Sequence, residues 1–285
     1  GILAGHVNPI GMAVLFGMFV FGAAKAAVMP LHRWLPAAMV APTPVSALLH
    51  AVAVVKAGVF TILKVSVYVF GLDTLRETGA SQWLVYVAGF TIIAASFVAL
   101  SADDLKRRLA YSTIGQLSYI VMAAAIATPA AAIGAPLHIA AHAVSKITLF
   151  FAAGSVYTAE HVTKVSRMDG IGRRMPWTMA AFAIGTLAMI GLPPTAGFLG
   201  KWFMLGAAGS ASDWFAVGVI IVSTILNRAY FLPILTAAFL KPAGGPVAEA
   251  PVAIVVALTA TAIGTVLLFL FPDVPLRLAS AMVAP

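Results

Sequence analysis

The chain has 285 residues, of which 62% are hydrophobic and only 9% are charged, and its formal net charge is +8 at pH 7. Average soluble proteins have about 25% charged residues, so this composition excludes an ordinary soluble domain and indicates an integral membrane protein. Apolar runs of about 20 residues recur along the whole length, whereas the alternating segments of about ten residues typical of transmembrane β-strands do not occur. The sequence therefore predicts an all-α polytopic bundle.

About eight membrane spans are predicted in chain order, separated by polar loops at 71–81 and 160–176, an alanine-rich turn at 128–135 and a linker at 241–251. The span at 213–240 is expected to be interrupted near Asn227, Arg228 and Pro233, and the tail after the last span is short. The predicted spans are 9–31, 45–70, 82–100, 103–127, 136–157, 177–202, 213–240 and 251–271.

Prolines break two of these spans. Lys25 lies just before the break at Pro30, and Lys201 follows a break at Pro193 and Pro194 in the stretch GLPPTAGF. Backbone groups freed by such breaks are tolerated in a membrane only where they line water or are buried in protein. Broken helices at corresponding places in two halves of a chain indicate a transport site.

The loop charges predict an orientation. Alternate loops contain nine basic residues, whereas the loops on the opposite side contain only two, Arg76 and Arg277. The positive-inside rule places the first set on the cytoplasmic side of a cytoplasmic (inner) membrane, with both termini of this stretch outside. This rule also explains the net positive charge without nucleic acid. The nine residues are Arg33, Lys106, Arg107, Arg108, Lys164, Arg167, Arg173, Arg174 and Lys241.

Three titratable residues follow one another at steps of four in the fifth span: His138, His142 and Lys146. In a helix they lie along one face, about one turn apart. An ammonium at bilayer depth costs about 2.5–3.5 kcal/mol on insertion scales, and buried ionisable residues typically mark ion pathways. The spacing therefore favours movement of a proton or cation, and the alternative is a buried polar seam between helices.

Further cations occur within the spans: Lys25, Lys56, Lys64, Lys201 and Arg228, whereas the nine acidic residues all lie in loops or at helix ends. His50 and Lys56 share the second span but are six residues apart, so they face different directions. Buried cations without anions are costly. Either another polypeptide supplies the anion, or the lysines are neutral for part of a cycle, since burial disfavours an ammonium. Lys64 is expected to extend to the interface or to line the path. Arg228 could set an electrostatic barrier or pair with a headgroup.

The sequence contains no pattern for a cofactor or a metal. Without cysteine it has no disulfide or thiolate ligand, and no phosphate-binding or dinucleotide-binding glycine motif occurs. His138 and His142 have the spacing of helical zinc ligands but lack the glutamate of HExxH. A haem held by two histidines is disfavoured by Lys146 on the same face. Proton transfer remains, because histidine and buried lysine can both gain and lose a proton.

Five motifs carry a family resemblance. In order they are LHRWLPAAMVAPTPVSALLHAVAVVKAG, DLKRRLAYSTIGQLSY, HIAAHAVSKITLFFAAGSVY, GLPPTAGFLGKW and LNRAYFLPI. They resemble the antiporter-like membrane subunits shared by Mrp-type cation/proton antiporters and respiratory complex I, over residues 11–240. The forms HAVAVVKAG and NRAYFLP resemble the Mrp D-type subunit more than the distal complex I subunit.

This resemblance implies the C-terminal part of a fourteen-helix fold with inverted five-helix repeats, its N-terminal part being absent. Residues 1–81 would be the last two helices of the first repeat, 82–241 the second repeat, and 242–285 a linker and final helix. The implied broken-helix lysines are Lys25 and Lys201, and the absent part would carry a glutamate that pairs with Lys25. The central relay positions would be His50, Lys56, His138, His142 and Lys146.

The resulting hypothesis is a proton-translocating subunit that moves protons along a midplane Lys/His relay. The implied partners are other membrane subunits, the absent N-terminal half, lipids, protons and Na⁺ or K⁺. At most the chain would be the proton-pumping part of an NADH:quinone oxidoreductase-type translocase, with no redox chemistry of its own. The alternatives are an energising subunit for inorganic-carbon uptake, or an inactive scaffold whose lysines bind lipid headgroups.

Overall fold

A computed structural model describes residues 1–242, 246 and 248–283. In this part the chain consists of helices joined by loops and turns, and its only ladder-type pairing is an isolated bridge between Asp104 and Lys164. The all-α prediction is therefore confirmed. Part of the predicted linker, residues 243–245 and 247, lies outside the described residues, as does the end of the C-terminal tail, 284–285.

The described residues form fourteen α-helices. They are α1 (Pro9–Gly22), α2 (Trp34–Ala37), α3 (Thr43–Ala47), α4 (Val54–Val65), α5 (Leu72–Thr78), α6 (Gln82–Ser101), α7 (Leu105–Ile126), α8 (Pro129–Glu160), α9 (Ile171–Arg174), α10 (Pro176–Ile190), α11 (Ala196–Ser210), α12 (Trp214–Leu240), α13 (Val252–Leu270) and α14 (Asp273–Ala281).

Six helical segments of the described chain are long and apolar enough to cross a membrane. They are Thr43–Phe70, which joins α3 and α4 through a π-helical turn at Leu48–Val52, and the helices α6, α7, α8, α12 and α13. Helices α1 and α10 are apolar but shorter. The polytopic prediction is thus confirmed, whereas the figure of about eight spans stays a prediction because the discontinuous spans consist of short pieces.

The predicted helix at 9–31 is too long. Asn8 caps its beginning by accepting a hydrogen bond from the Gly11 backbone N–H at 2.7 Å, and α1 ends at Gly22. A 3₁₀ turn, Ala24–Ala26, then carries Lys25, and Ala27 adopts a left-handed conformation with φ 57°. The break therefore begins before Lys25 and well before Pro30.

Two internal prolines do not interrupt their helices, contrary to the sequence prediction. Helix α8 begins at Pro129, so the predicted alanine-rich turn at 128–135 is mostly helical and Pro136 lies inside the helix. Helix α12 likewise continues past Asn227, Arg228 and Pro233. In a membrane, neighbouring helices and local adjustments satisfy the groups that a proline frees, so continuing the helix costs less than exposing a turn to lipid. The loop at 71–81 and the tail also contain the short helices α5 and α14.

Helix α7 forms the centre of the bundle, and α13 lies at its edge. The apolar window of α7 is 94% buried, against 17% for α13. Their compositions explain the difference, because α7 carries Ser112, Thr113 and Gln116, which avoid lipid by facing other helices, whereas α13 is apolar nearly throughout. Helix α7 is therefore the scaffold against which the other polar side chains are placed.

Contacts between loops gather several of the basic segments at one end of the bundle. Lys106 donates from Nζ to the Ala41 carbonyl at 2.7 Å, and Lys241 forms a 3.0 Å ion pair with Asp169. Arg108 differs from the predicted loop cation, because it is buried in the first turn of α7. Its guanidinium donates to the carbonyls of Ala102 and Tyr230 at 2.9 and 2.8 Å. Arg108 therefore has a structural role.

Asp103 connects the loop before α7 to the loop after α8. Its carboxylate accepts hydrogen bonds of 2.9 Å from both the backbone N–H and the hydroxyl of Ser166. These two donors stabilise the charged form and lower the pKa of Asp103 from its ordinary value. Because the pKa of Asp103 is lower in the folded protein than in the unfolded protein, this contact stabilises the folded state at pH values above the unfolded-state pKa. That stabilisation is lost as the pH falls through the folded-state pKa.

We expect Ser166→Ala to raise the pKa of Asp103 back towards its ordinary value, because the hydroxyl donor is removed while the backbone donor stays. Isotope-edited infrared titration of the aspartate carboxyl would measure this change. Ser101→Ala, at the end of α6, is the control and should leave the titration unchanged. An unchanged titration in Ser166→Ala would contradict the assignment.

Candidate functional site

The site is organised around the gap between α10 and α11. Helix α10 ends at Ile190 and is capped by Gly191, whose φ of 90° favours glycine. Helix α11 then returns close to α10, because a Cβ added at Gly197 would lie 1.8 Å from the Ala188 carbonyl oxygen. This close approach, which only glycine allows, places Lys201 beside the carbonyl end of α10.

Lys201 is buried and held by backbone carbonyls. Its Nζ donates to the carbonyl oxygens of Met189 and Ile190 at 2.8 and 2.9 Å, and lies 4.9 Å from the ring centroid of Tyr119. The C-terminal end of a helix carries partial negative charge, and an aromatic face attracts a cation. Among the described residues, the ammonium is therefore stabilised by dipoles and not by a carboxylate.

The other end of α10 has the complementary arrangement. Glu249 accepts hydrogen bonds from the backbone N–H of Trp177 and the hydroxyl of Thr178, both at 2.7 Å. A carboxylate is favoured at a helix N-terminus and a cation at a C-terminus. Glu249 and Lys201 thus match the dipole of α10 at its two ends, and this fixes the half-helix that supports the site.

His138 is connected to the same carbonyl group through Gln116. The Gln116 side chain donates from Nε2 to the Met189 carbonyl at 3.1 Å, and its Oε1 lies 3.0 Å from His138 Nε2. Because Oε1 can only accept, His138 carries its proton on Nε2 in this arrangement. Gly200 allows the close packing, since a Cβ there would lie 2.7 Å from His138 Cβ.

The row predicted on one helix face forms as expected, and a second helix joins it. His138, His142 and Lys146 are all fully buried on α8, with 6.4 Å between the ring centroids of the two histidines. Lys56 of α4 is also buried, and its Nζ is hydrogen-bonded to His142 Nδ1. The structure therefore brings Lys56 into the row from a different helix.

His50 lies in the π-helical turn between α3 and α4, a feature often found at functional sites. The ring is fully buried, and its centroid lies 5.2 Å from that of Phe150. Neither ring nitrogen of His50 has a hydrogen-bond partner among the described residues, and the same holds for His138 Nδ1 and His142 Nε2. Buried polar atoms normally have partners, which makes these four nitrogens candidate positions for bridging water.

A second polar branch starts at Lys146. Its Nζ donates to Ser112 Oγ at 2.9 Å, and the Tyr230 hydroxyl lies 3.2 Å from the same oxygen and 2.5 Å from Asn227 Oδ1. Asn227 in turn donates from Nδ2 to the Met189 carbonyl at 3.3 Å. Lys146 and Lys201 are thus linked through side chains of α7 and α12.

Three predicted residues lie apart from this row. Lys25, Lys64 and Arg228 are exposed on the surface of the described chain. The turn that carries Lys25 nevertheless packs directly on α4, since a Cβ at Gly58 would lie 2.3 Å from the Ala26 backbone nitrogen. Lys25 is therefore placed at the edge of the site and not within it. The supporting prolines Pro30, Pro193 and Pro194 all lie in the two breaks, outside the helices.

Sequence reasoning missed several side chains of the site. They share a helical spacing of four and then three residues on two helices, which could have been found as polar positions within apolar spans. On α7 these are Ser112, Gln116 and Tyr119, and on α12 they are Ser223, Asn227 and Tyr230. Tyr119 and Ser223 are hydrogen-bonded to each other, so the two polar faces meet.

A cavity of about 710 Å³ opens at the end of the bundle where the basic loops gather. Its lining includes Thr43, Lys106, Phe150 and Ala257. Phe150 forms one wall and also packs against the ring of His50. One aromatic ring therefore separates this cavity from the buried histidine.

The buried cations have no acidic partner among the described residues. The ion pairs are Arg76–Asp73, Arg174–Glu160 and Lys241–Asp169, and all involve loops or helix ends. The buried polar side chains of the described chain include lysine, histidine, hydroxyl and amide groups but no carboxylate. No cluster of metal-ligating side chains occurs in the described part either. The arrangement is suited to exchanging protons between neutral and cationic nitrogen groups.

We expect Gln116→Leu to lower the free energy of unfolding by about 1–3 kcal/mol, because it leaves His138 Nε2 buried without a partner. Denaturant or thermal unfolding in mild detergent measures the change. Gln82→Leu is the matched control, because Gln82 is exposed at the start of α6, and it should change stability by less than about 0.5 kcal/mol. Equal effects of the two variants would count against the Gln116 contacts.

The fold and site together define a polytopic helical membrane protein with buried lysine and histidine side chains around a broken helix. The family described as "NADH:quinone oxidoreductase/Mrp antiporter, TM" matches residues 2–227. The chain belongs to this family, as the sequence resemblance indicated, and it is an integral membrane protein. The finer similarity to the Mrp D-type subunit stays a prediction.

Curated relatives include two quinone oxidoreductase subunits. NADH-quinone oxidoreductase subunit N of Desulforudis audaxviator is 39% identical over 232 residues, which cover 80% of this chain and 46% of that protein. NADH-quinone oxidoreductase subunit L of Rickettsia bellii is 38% identical over 223 residues, covering 78% of this chain and 33% of that protein. The chain thus spans between a third and a half of the length of these relatives.

Solved structures show the same fold. The Mrp complex from Dietzia sp. contains a chain that matches with a TM-score of 0.84 at 20% identity, covering 99% of this chain and 63% of that one. The membrane-bound sulfane sulfur reductase, an archaeal respiratory membrane complex, matches with a TM-score of 0.84 at 26% identity, covering 99% and 58%. Relatives thus occur as subunits of multisubunit membrane complexes.

Proposed function

We propose that this chain translocates protons as part of a multisubunit Mrp-type antiporter or complex I-like assembly. The observation that carries the proposal is the row of buried nitrogen groups that runs from His50 and Lys56 past the histidines of α8 to Lys201. These groups are buried among the apolar helices, and Lys56, His138 and Lys201 are hydrogen-bonded to neutral acceptors. The family and its respiratory and antiporter relatives support the same function.

In the proposed path, protons pass between Lys56 and His142 through their direct contact, and between His142 and His138 by way of the unpartnered ring nitrogens. A proton on His138 then reaches Lys201 across the region bounded by Gln116 and Tyr119. Histidine accepts and releases protons near neutral pH, and burial gives lysine the same capacity. Lys146 extends the row towards the end of the bundle that carries the basic loops.

Access to the row is proposed from the cavity beside Lys106. Water in this cavity reaches Phe150, and rotation of that ring would bring it into contact with His50. The loops around the cavity carry the basic residues that the positive-inside rule places in the cytoplasm. The proposal therefore has protons entering from the cytoplasmic side of an inner membrane, with both termini of this stretch on the outer side.

We also propose the domain organisation predicted from the sequence. Residues 1–81 are the end of a first repeat, 82–241 a second repeat with the broken helix α10–α11, and 242–285 a linker and final helix. Lys25 is exposed in the described chain, which fits contact with a neighbouring segment that carries a carboxylate. Lys25 would then be the first site of the relay and Lys201 the last.

Lys146→Ala should abolish proton transport if the relay is correct, because the row loses a proton-binding group. Lys146→Arg should also abolish it, since arginine keeps its charge and cannot release a proton. The measurement is proton uptake into proteoliposomes that contain the full-length protein in its complex, followed with a pH-sensitive dye. A scaffold with lipid-binding lysines would instead transport normally in both variants.

Lys241→Ala is the control for these two variants. Its side chain forms an exposed ion pair at the end of the bundle, and such pairs contribute little. We expect normal transport and normal assembly. Loss of transport in all three variants together would show a general sensitivity to lysine replacement and would remove the support for a relay.

We expect Ala257→Trp to slow proton uptake several-fold, because the indole would fill the cavity that leads to Phe150. The assay is the same, with the proton gradient directed inward from the side of the basic loops. The control is Ala260→Trp, because Ala260 is exposed on the same helix, α13, outside the cavity lining. This replacement should leave the rate unchanged. Equal rates for the two variants would rule out this route.

A further inference from the structure

Three side chains donate hydrogen bonds to a single backbone carbonyl, that of Met189. They are Lys201 through Nζ at 2.8 Å, Gln116 through Nε2 at 3.1 Å and Asn227 through Nδ2 at 3.3 Å. A carbonyl oxygen has two lone pairs. Three donors therefore compete for this oxygen, and a stronger hold by one of them weakens the others.

The branch from Lys146 controls one of these donors. A charged ammonium can only donate, so Ser112 Oγ accepts from Lys146, and the Tyr230 hydroxyl competes with the ammonium as a second donor to the same oxygen. The Tyr230 hydroxyl has one proton and two acceptors within reach, Asn227 Oδ1 at 2.5 Å and Ser112 Oγ at 3.2 Å. With Ser112 Oγ already accepting from the ammonium, that proton goes to Asn227.

We propose that Tyr230 is a positioning residue, an inference that rests on the proposed function. It couples the charge on Lys146 to the strength of the hydrogen bond between Lys201 and the Met189 carbonyl. When Lys146 is charged, Tyr230 donates to Asn227, and this polarises the amide and strengthens its bond to Met189. When Lys146 is neutral, its nitrogen accepts the Ser112 proton and Tyr230 turns to Ser112. Asn227 then competes less, and Lys201 is held more firmly.

This branch transmits orientation and does not conduct protons. Its last acceptor, the Met189 carbonyl, has no proton to pass on, and Lys201 only donates to it. Proton transfer stays on the histidine row. Through the Tyr230 hydroxyl, a charged Lys146 disfavours the charged form of Lys201. The coupling acts in addition to direct repulsion between the two ammonium groups.

Other charged and titratable groups surround the branch. Helix α7 contributes Tyr119 and Arg108, and the latter binds the Tyr230 backbone carbonyl at 2.8 Å. Arg108 keeps its charge, so it fixes the α12 backbone and leaves the hydroxyl free to turn. The remaining groups that face the branch are His50 and Lys56 on the segment Thr43–Phe70, His142 on α8 and Lys201 on α11.

Tyr230→Phe tests the coupling in the full-length protein within its complex. The variant removes the hydroxyl and keeps the ring, which packs 4.7 Å from Phe231 between centroids. We expect the rate of proton uptake into proteoliposomes to fall about fivefold, the effect of one typical hydrogen bond. Two sites that disfavour each other's charge titrate over a wide pH range. Because Tyr230→Phe removes the coupling, the transport rate of the variant should also change more steeply with pH than that of the parent protein.

Tyr86→Phe is the matched control, because Tyr86 is exposed on α6 away from the branch, and it should match the parent in both rate and steepness. Asn227→Leu interrupts the same branch on its other side, and the double variant should lose no more than the worse single variant. It also provides an independent measurement if Tyr230→Phe assembles poorly.

Three results would overturn the coupling. These are an unchanged Tyr230→Phe profile, a lower rate with unchanged steepness, as a merely structural role would give, or multiplicative losses in the double variant. The failure of the proposed function looks different, because Lys146→Ala would then transport normally. An inactive Lys146→Ala together with a parent-like Tyr230→Phe would overturn the coupling alone.

Discussion

The bond between the Lys201 ammonium and the carbonyl end of α10 is the contact on which the rest of the site depends. A buried cation in a membrane is unfavourable unless something stabilises it, and here the broken helix provides two carbonyl oxygens that no helical N–H can reach. Breaking a span is ordinarily costly for the same reason, since its freed carbonyls need donors. The two costs offset each other, because the lysine supplies the donor and the break supplies the acceptors.

Glycines make this geometry accessible. Gly197 lets α11 lie against the end of α10, and Gly200 lets the same helix approach His138 on α8, where in each case a Cβ would overlap a neighbour. Gly58 does the same for the turn that carries Lys25. Close helix approach through small residues is the usual way in which membrane helices pack. In this chain it also brings titratable groups on different helices close together, so the glycines that allow the packing also set the spacing of the proposed relay.

The sequence predicted what lies on one helix and missed what depends on helices meeting. His138, His142 and Lys146 could be placed on one face of a single helix from their spacing alone, and Lys201 beside a break from its prolines. The contact between Lys56 and His142 was not predictable in this way, because it depends on how α4 packs against α8. The prediction that a helix begins at Pro136 is wrong, because local rules for proline describe water and not lipid. Whether Lys25 is buried or exposed was likewise not encoded in its local sequence.

The choice of partners explains how such a site can change its charge. A lysine paired with a buried carboxylate leaves an uncompensated anion when it loses its proton, and breaking such a pair is strongly unfavourable. Lys56, Lys146 and Lys201 are instead partnered by an imidazole, a hydroxyl and carbonyl oxygens. Each of these acceptors is neutral, so the deprotonated state leaves behind only a polar group that another donor can satisfy. Neutral partners hold an ammonium less firmly than a carboxylate does, and that weaker hold is what reversible protonation of a buried lysine requires.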